Sequence, residues 1–466
     1  MPNPLCVRQL PISRIFPFEL PISRLLAGGL IGAGLLVQGC SQDAAPAAAA
    51  ATESPTDAEP TKADLIAKAA AEGKTIVTPE QLVAAADELI KRGRQSDAMK
   101  VVSLAIQAKP DLAEAYVLRA SIYAGANLRT RAIADMTKAI ELKPDEARYH
   151  NARGYYALSD QNYARALADF DAAIAADADY HVAHNNRGLV NIQIGRHEEA
   201  ASDFGRALAA KPDYPEAFNN RGYANLRLER FDAALADFDS ATQGNPKFVD
   251  AWSNRGMALM QLGRPDQAVA DFTTAIAIAP NNAALFKHRS DAYRKAGQDS
   301  KAQRDLDEVQ WLRRLAMYTQ SIRQQPNRIT GYIARSEHLA DHDRMQEAVA
   351  DLDAALKVDP QSTDALVAKA KLLVETGQHD AARELCDRAL QIEPSLEAFS
   401  IRGDVLYTQG DLDSAISDYQ QAQRMDEQVA RAYFQRSQKQ KEAGAIEQAS
   451  ADYQTAVQLD PSLKTQ

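Results

Sequence analysis

The sequence predicts an all-α protein, a right-handed superhelical α-solenoid of about eleven stacked helical hairpins, and three observations predict it. Alignment on Pro110, Pro144, Pro212, Pro246 and Pro280 exposes a period of 34 residues or its multiple from residue 79 onward. Within each period, two runs carry apolar residues at three- and four-residue spacing, the signature of paired amphipathic helices. Finally, one such hairpin is too small to cover its own apolar stripes, so the cover must come from the next hairpin.

The composition suits such an array. A chain of 466 residues, 45% apolar and 25% charged, can bury a large core. Its formal net charge of −10 argues against a nucleic-acid partner, because phosphate binding depends on clustered Lys and Arg. Cys6, Cys40 and Cys386 are the only cysteines, too few and too scattered for a disulfide framework or a Cys-based zinc site.

In chain order, the first element is an address. Arg8, Arg14 and Arg24 precede LLAGGLIGAGLLVQGC, in which residues 25 to 37 carry no charge. A bilayer span needs about 20 apolar residues, so this short run reads as a secretory signal. Val37, Gln38, Gly39 and Cys40 resemble the lipobox of bacterial lipoproteins. That resemblance implies a signal peptide over residues 1–39, cleavage before Cys40, and acyl chains on Cys40. At about 0.8 kcal/mol per buried methylene, several chains hold a protein on a membrane durably. Ser41 rather than Asp follows the cysteine, which in enteric lipoproteins favours the outer membrane over the inner. Residues 40–62 are rich in Ala, Pro, Asp, Glu and Thr and read as a flexible tether. Residues 63–78 are expected to hold a short helix and the lead-in to the array.

The units then start near Pro79, Ala113, Ala147, His181, Pro215, Val249, Ala283, Ile329, Thr363, Leu396 and Ala430. Thr78-Pro79-Glu80-Gln81 supplies an N-cap, a first-turn Pro and a capping-box Gln for the first of them. In the unit from 215 to 248 the marker residues are Phe218, Gly222, Ala234, Phe238, Ala241 and Pro246, with small residues such as Gly188 and Ala200 elsewhere letting paired helices approach closely. This pattern, over residues 79 to 462, resembles the tetratricopeptide repeat. The resemblance implies a superhelix whose first helices line a concave groove that binds protein or peptide.

Two departures from the period divide the array. Between Leu306 and Ile329 the phase slips by 12 residues through a stretch without a helix breaker before Pro326, which predicts a lengthened helix and two blocks, 79–328 with seven repeats and 329–462 with four. A one-residue deletion at Pro394-Ser395-Leu396 reads as loop shortening.

Nine units carry Arg at their seventh position: Arg119, Arg153, Arg187, Arg221, Arg255, Arg289, Arg335, Arg402 and Arg436. In the same nine, Asp follows sixteen residues later: Asp135, Asp169, Asp203, Asp237, Asp271, Asp305, Asp351, Asp418 and Asp452. The other two units lack both members, with Ala85 and Val101 in one and Lys369 and Leu385 in the other. Joint presence and joint absence predict a structural ion pair between the two helices of a unit, with Arg chosen for its two-pronged fit to a carboxylate.

A second set of polar residues lies on the other face of the first helices: Asn151 and Tyr155; Asn185, Asn186 and Gln193; Asn219, Asn220, Tyr223 and Arg227; Asn254 and Gln261; Lys287 and His288. An amide offers a donor and an acceptor together, so it can bind the main chain of an extended peptide whatever that peptide's sequence. Asn186, Asn220 and Asn254 are similar in spacing to the Asn ladder of the superhelical domain of O-linked N-acetylglucosamine transferases, whose catalytic domain this chain lacks. These residues are the expected partner-binding surface.

No Gly-rich phosphate loop, metal-protease motif or nucleophile elbow occurs, so no enzyme activity, cofactor or small-molecule substrate is expected. His181 and His184 could touch a metal, but His184 stands at an aromatic packing position, and Cys386 replaces the aromatic of its unit, so both read as core and no metal is expected. The expectation is a non-enzymatic scaffold for protein or peptide partners in the bacterial cell envelope, lipid-anchored on the periplasmic side at the outer membrane. The alternative is a cytoplasmic co-chaperone or regulatory adaptor of the same repeat type with an uncleaved N-terminus.

Overall fold

The computed structural model describes Ile66 and residues 77 to 465, and all regular elements among them are helices. The signal peptide, Cys40 and the tether lie outside the described residues. The hairpins are α1 (Pro79–Lys91) with α2 (Gln95–Ala108), α3 (Ala113–Gly125) with α4 (Arg129–Leu142), α5 (Ala147–Ser159) with α6 (Tyr163–Ala176), and α7 (His181–Gln193) with α8 (His197–Ala210). They continue as α9 (Pro215–Arg227) with α10 (Phe231–Gly244), α11 (Val249–Gln261) with α12 (Pro265–Ile278), and α13 (Ala283–Lys295) with the long α14 (Asp299–Gln324). The last are α15 (Ile329–Ala340) with α16 (Met345–Val358), α17 (Thr363–Glu375) with α18 (His379–Ile392), α19 (Leu396–Gln409) with α20 (Leu412–Gln421), and α21 (Glu427–Glu442) with α22 (Ile446–Leu459). A 3-10 turn, Pro461–Thr465, closes the described chain.

The array has defined ends. Thr78 Oγ1 accepts from Gln81 N at 3.3 Å while Thr78 N donates to Gln81 Oε1 at 3.0 Å, a reciprocal cap on α1. Ile66 and Val77 pack against the first apolar cluster around Leu82, Ala86 and Leu89. At the other end Leu463 of the 3-10 turn is buried against Ala430 and Ala456, so the turn covers part of the apolar edge that α22 would otherwise present.

One turn geometry joins the two helices of every hairpin. A residue in the left-handed region stands at Gly93, Asn127, Gln161, Gly195, Glu229, Gly263, Gly297, Asp343, Gly377, Gly410 and Gly444. It donates to the carbonyl three residues back while the next residue reaches five back, as Glu229 N does to Leu226 O and Arg230 N to Asn225 O. Glycine adopts this conformation freely, whereas Glu229, at φ 58°, holds it against steric cost. Glu229→Gly is therefore expected to raise the local stability of its hairpin by about 1 kcal/mol, and hydrogen exchange of that hairpin's amides no slower than in the wild type would refute this.

Inside each hairpin, size complementarity sets the helix spacing. A Cβ placed on Gly154, Gly188, Gly222 or Gly256 would come within 3.0 Å of the ring of Phe170, Phe204, Phe238 or Phe272, and Gly403 stands in the same relation to Tyr419. Where the first helix carries Ala or Ser instead, the facing residue has no ring: Ala120 faces Met136, Ser336 faces Leu352 and Ala370 faces Cys386. Ser437 breaks this rule opposite Tyr453, whose side chain is 36% exposed. Burial pushes the Cys386 thiol up to about 12, so it stays a protonated packing group.

The chain forms two compact units, residues 1–306 and 307–466. That boundary falls inside α14 rather than at 328, where the sequence placed it, because Val309, Leu312, Leu315 and Ile322 are buried in the second unit. In the last hairpin α21 begins at Glu427, earlier than the expected Ala430, because the Asp426 side chain accepts from Gln428 N and Val429 N and caps the helix there. Within each unit the first helices of most neighbouring hairpins touch one another, whereas among substantial helix contacts no two second helices do. The first helices therefore form the inner rail of each unit. No helix among the described residues is long and apolar enough to cross a membrane.

Candidate peptide groove and the polar pairs beneath it

The nine Arg–Asp pairs join the two helices of their hairpins. Nitrogen-to-oxygen distances run from 2.5 Å for Arg187–Asp203 and Arg335–Asp351 to 2.7 Å for Arg119–Asp135, Arg289–Asp305 and Arg402–Asp418. Arg153–Asp169, Arg221–Asp237, Arg255–Asp271 and Arg436–Asp452 lie at 2.6 Å. Most are two-pronged, as where Arg221 donates from Nε to Asp237 Oδ2 and from Nη2 to Oδ1. The carboxylates are buried, and the guanidiniums keep one edge toward solvent.

Most of these Arg do more than the spacing implied. The free Nη1 commonly reaches back sixteen residues to the second helix of the preceding hairpin, from Arg187 to Asp171 at 2.7 Å, Arg255 to Asp239 at 2.8 Å, Arg153 to Thr137 at 3.3 Å and Arg289 to Thr273 at 3.2 Å. The pair is thus also a staple between neighbouring repeats. Lys369, in the hairpin where Leu385 replaces the Asp, keeps only this backward half, with Asp353 at 2.6 Å. Arg221 is the converse: Gly205 stands sixteen residues before it and offers no acceptor. The backward partners were visible in the sequence as Asp or Thr at fixed spacing.

Aromatic faces and amides complete the setting. Guanidinium carbons lie over the ring three residues earlier, Arg255 over Trp252 at 4.5 Å and Arg221 over Phe218 at 5.7 Å. Asn191 and Asn225, which sequence reasoning missed, donate to the second oxygens of Asp203 and Asp237 at 3.0 and 3.1 Å. Their signal was an Asn twelve residues before an ion-pair Asp.

The amides assigned to a partner are placed differently from the expectation. Asn151, Asn185, Asn186, Asn219, Asn220 and Asn254 are all buried. They pair across repeats: Asn186 Nδ2 donates to Asn151 Oδ1 at 3.0 Å, Asn220 to Asn185 at 3.1 Å and Asn254 to Asn219 at 2.9 Å. Neighbouring inner helices run close enough for the sixth residue of one to meet the fifth of the one before, so part of each amide serves the stack. Asn151 Nδ2, Asn185 Nδ2, Asn186 Oδ1 and Asn254 Oδ1 have no hydrogen bond to the described residues, yet none is closed off from solvent.

Around this floor, Tyr155, Gln193, Tyr223, Lys287 and His288 are half-buried, and Arg227 and Gln261 are exposed. Lys287 Nζ is held by Asp291 at 2.6 Å. His288 stacks on Phe272 with centroids 5.6 Å apart, and burial lowers its pKa, so it is neutral at pH 7. His184 is core: its Nε2 donates to Ala178 O at 2.9 Å. Tyr116, His150, Trp252 and Tyr332 make the same six-residue bond to the turn before their helix, a device that fastens one repeat to the next. Among the described residues no group of His, Cys, Asp and Glu is arranged to hold a metal ion.

No curated protein matches the chain in sequence. Solved structures similar to parts of it include PilW, described as a type IV pilus biogenesis factor, at 23% identity over 43% of this chain and 94% of that one with a TM-score of 0.40. They include Pseudomonas aeruginosa pilF at 18% identity over 43% and 92% with a TM-score of 0.40. YrrB, described as having an unusual peptide-binding site, aligns at 23% identity over 50% and 97% with a TM-score of 0.32. The family model described as tetratricopeptide repeat matches residues 117–181, 151–215, 185–247, 219–283 and 402–463, and a second of the same description matches 339–402. With more than half of the chain matched, and helical hairpins in unbroken succession, the chain belongs to the tetratricopeptide repeat family, an all-α solenoid of the kind that acts as a protein-interaction scaffold.

Proposed function

We propose that the chain is a lipid-anchored scaffold of the bacterial cell envelope, which binds extended peptide segments of its partners along the inner rail of the first unit. The observation that carries the peptide reading is the half-used amide row. Three inter-repeat pairs orient the buried Asn side chains and leave acceptors at Asn186 and Asn254 and donors at Asn151 and Asn185 without a hydrogen bond to the described residues. Polar groups this enclosed favour a partner, and a peptide backbone supplies donors and acceptors in alternation whatever its side chains are. Tyr155, Tyr223, Arg227 and Gln261 would then grade partners by their side chains. Attachment rests on Val37-Gln38-Gly39-Cys40 and on a tether able to stand the solenoid off the bilayer.

The test is affinity capture from membranes with three proteins: the full chain, the full chain with Asn186→Ala, Asn220→Ala and Asn254→Ala, and a form lacking residues 1–40. The first should retain its partners, the second should lose them by about tenfold or more, and the third should leave the membrane fraction. Undiminished capture by the triple variant, with its helicity intact, would remove the groove reading. A full chain that yields no precursor when signal peptidase II is blocked would remove the anchor and favour the cytoplasmic adaptor.

A further inference from the structure

The second half of α14 is a second helix without a first. Arg335 Nη1 donates to Thr319 Oγ1 at 3.0 Å, sixteen residues back, as Arg153 does to Thr137 and Arg289 to Thr273. That contact sets residues 311–324 in register with the second helix of any ordinary hairpin. In the fifth hairpin the side turned toward its own first helix is formed by Ala234, Asp237, Phe238 and Ala241, all buried. The same register places Arg314, Met317, Tyr318 and Ser321 on that side of α14. No first helix accompanies them: Met317 is 59% exposed, Arg314 and Ser321 are exposed, and Tyr318 is half-buried. The opposite side is anchored in the second unit by Leu312, Leu315 and Ile322. The helix is therefore held firmly with its partner-facing side open.

Charge says what fits there. From residue 309 to 336 there are five Arg and no acidic residue, in a chain of net charge −10. Arg335 is held by Asp351, and Arg328 Nη1 donates to Gln325 Oε1 at 3.2 Å. Arg313, Arg314 and Arg323 are exposed, and no ion pair among the described residues engages them. We propose that this face docks an acidic amphipathic helix of a partner protein, which occupies the place of the missing first helix. Its apolar stripe covers Met317 and the Tyr318 ring, and its carboxylates meet the three arginines. None of its residues belongs to the amide row, and the proposal does not depend on that row.

The probe is a labelled peptide of about 18 residues, with Leu at helical three- and four-residue spacing and Glu elsewhere, beside a copy in which Lys replaces Glu. In fluorescence anisotropy with the full chain, the acidic peptide should bind, more weakly as salt rises, and the Lys copy should not. Arg313→Glu, Arg314→Glu and Arg323→Glu together should weaken the acidic peptide by about tenfold or more and create binding of the Lys copy. Met317→Asp should weaken it as well, and Asn186→Ala, Asn220→Ala and Asn254→Ala should leave it unchanged. All of the α14 changes are at exposed sites, and gain of the Lys copy shows that the charge-reversed protein is folded. No binding up to about 1 mM, equal binding of both peptides, or indifference to the charge reversal overturns the proposal. So does charge-sensitive binding of phosphatidylglycerol vesicles without binding of the peptide, which would assign a membrane surface instead.

Discussion

Asp237→Leu is expected to destabilise its region of the solenoid by about 3 to 4 kcal/mol, and Asp203→Leu by only about 2. Both carboxylates accept from an Arg on the paired helix and from an Asn, Arg221 with Asn225 in one case and Arg187 with Asn191 in the other. The difference lies in what the Arg keeps afterwards. Arg187 retains Asp171 at 2.7 Å, whereas Arg221 has only Gly205 at the equivalent place and is left beneath Phe218 without a carboxylate. Hydrogen exchange of amides in the affected hairpins is the suitable measurement, because a long repeat array need not unfold in one step. Equal losses at the two sites would show that the backward contact contributes nothing. Arg221→Met combined with Asp237→Leu should recover most of the loss, since the hairpin with Lys369 and Leu385 shows that the stack closes without the pair.

Phe238→Ala should cost about 4 kcal/mol in the same assay. The ring is wholly buried between Gly222 and the neighbouring repeat's Ala258, so its removal leaves a cavity that two facing helices cannot readily close. Overfilling the same place is also unfavourable. Gly222→Ala puts a methyl group at 2.7 Å from the ring edge and should cost about 2 kcal/mol. Combining it with Phe238→Leu should cost less than the two changes added, because Ser336 opposite Leu352 and Ala120 opposite Met136 already use that arrangement. Strict additivity would mean that the helix spacing is not set by this contact.

These expectations rest partly on the sequence and partly on contacts it did not disclose. The helix starts at Pro79, Ala113, Ala147, His181, Pro215, Val249, Ala283, Ile329, Thr363 and Leu396 were legible because helical apolar spacing, turn chemistry and a 34-residue period all point to the same residues. The Arg–Asp partners were legible because both members come and go together within one hairpin. The backward half of each staple was not, because it joins different hairpins and its acceptor varies between Asp171 and Thr137.

By itself, then, the sequence determined the repeat, its class and the pairing of charges inside each hairpin, all of which are local and recur at a constant interval. Only the tertiary structure decided the use of the polar faces. The stacking distance between inner helices brings Asn186, Asn220 and Asn254 each within hydrogen-bond reach of an Asn one repeat earlier, a contact that the spacing alone did not disclose. The same tertiary packing left one side of α14 uncovered at Met317, because a helix that serves two units in succession has a first helix for only one of them.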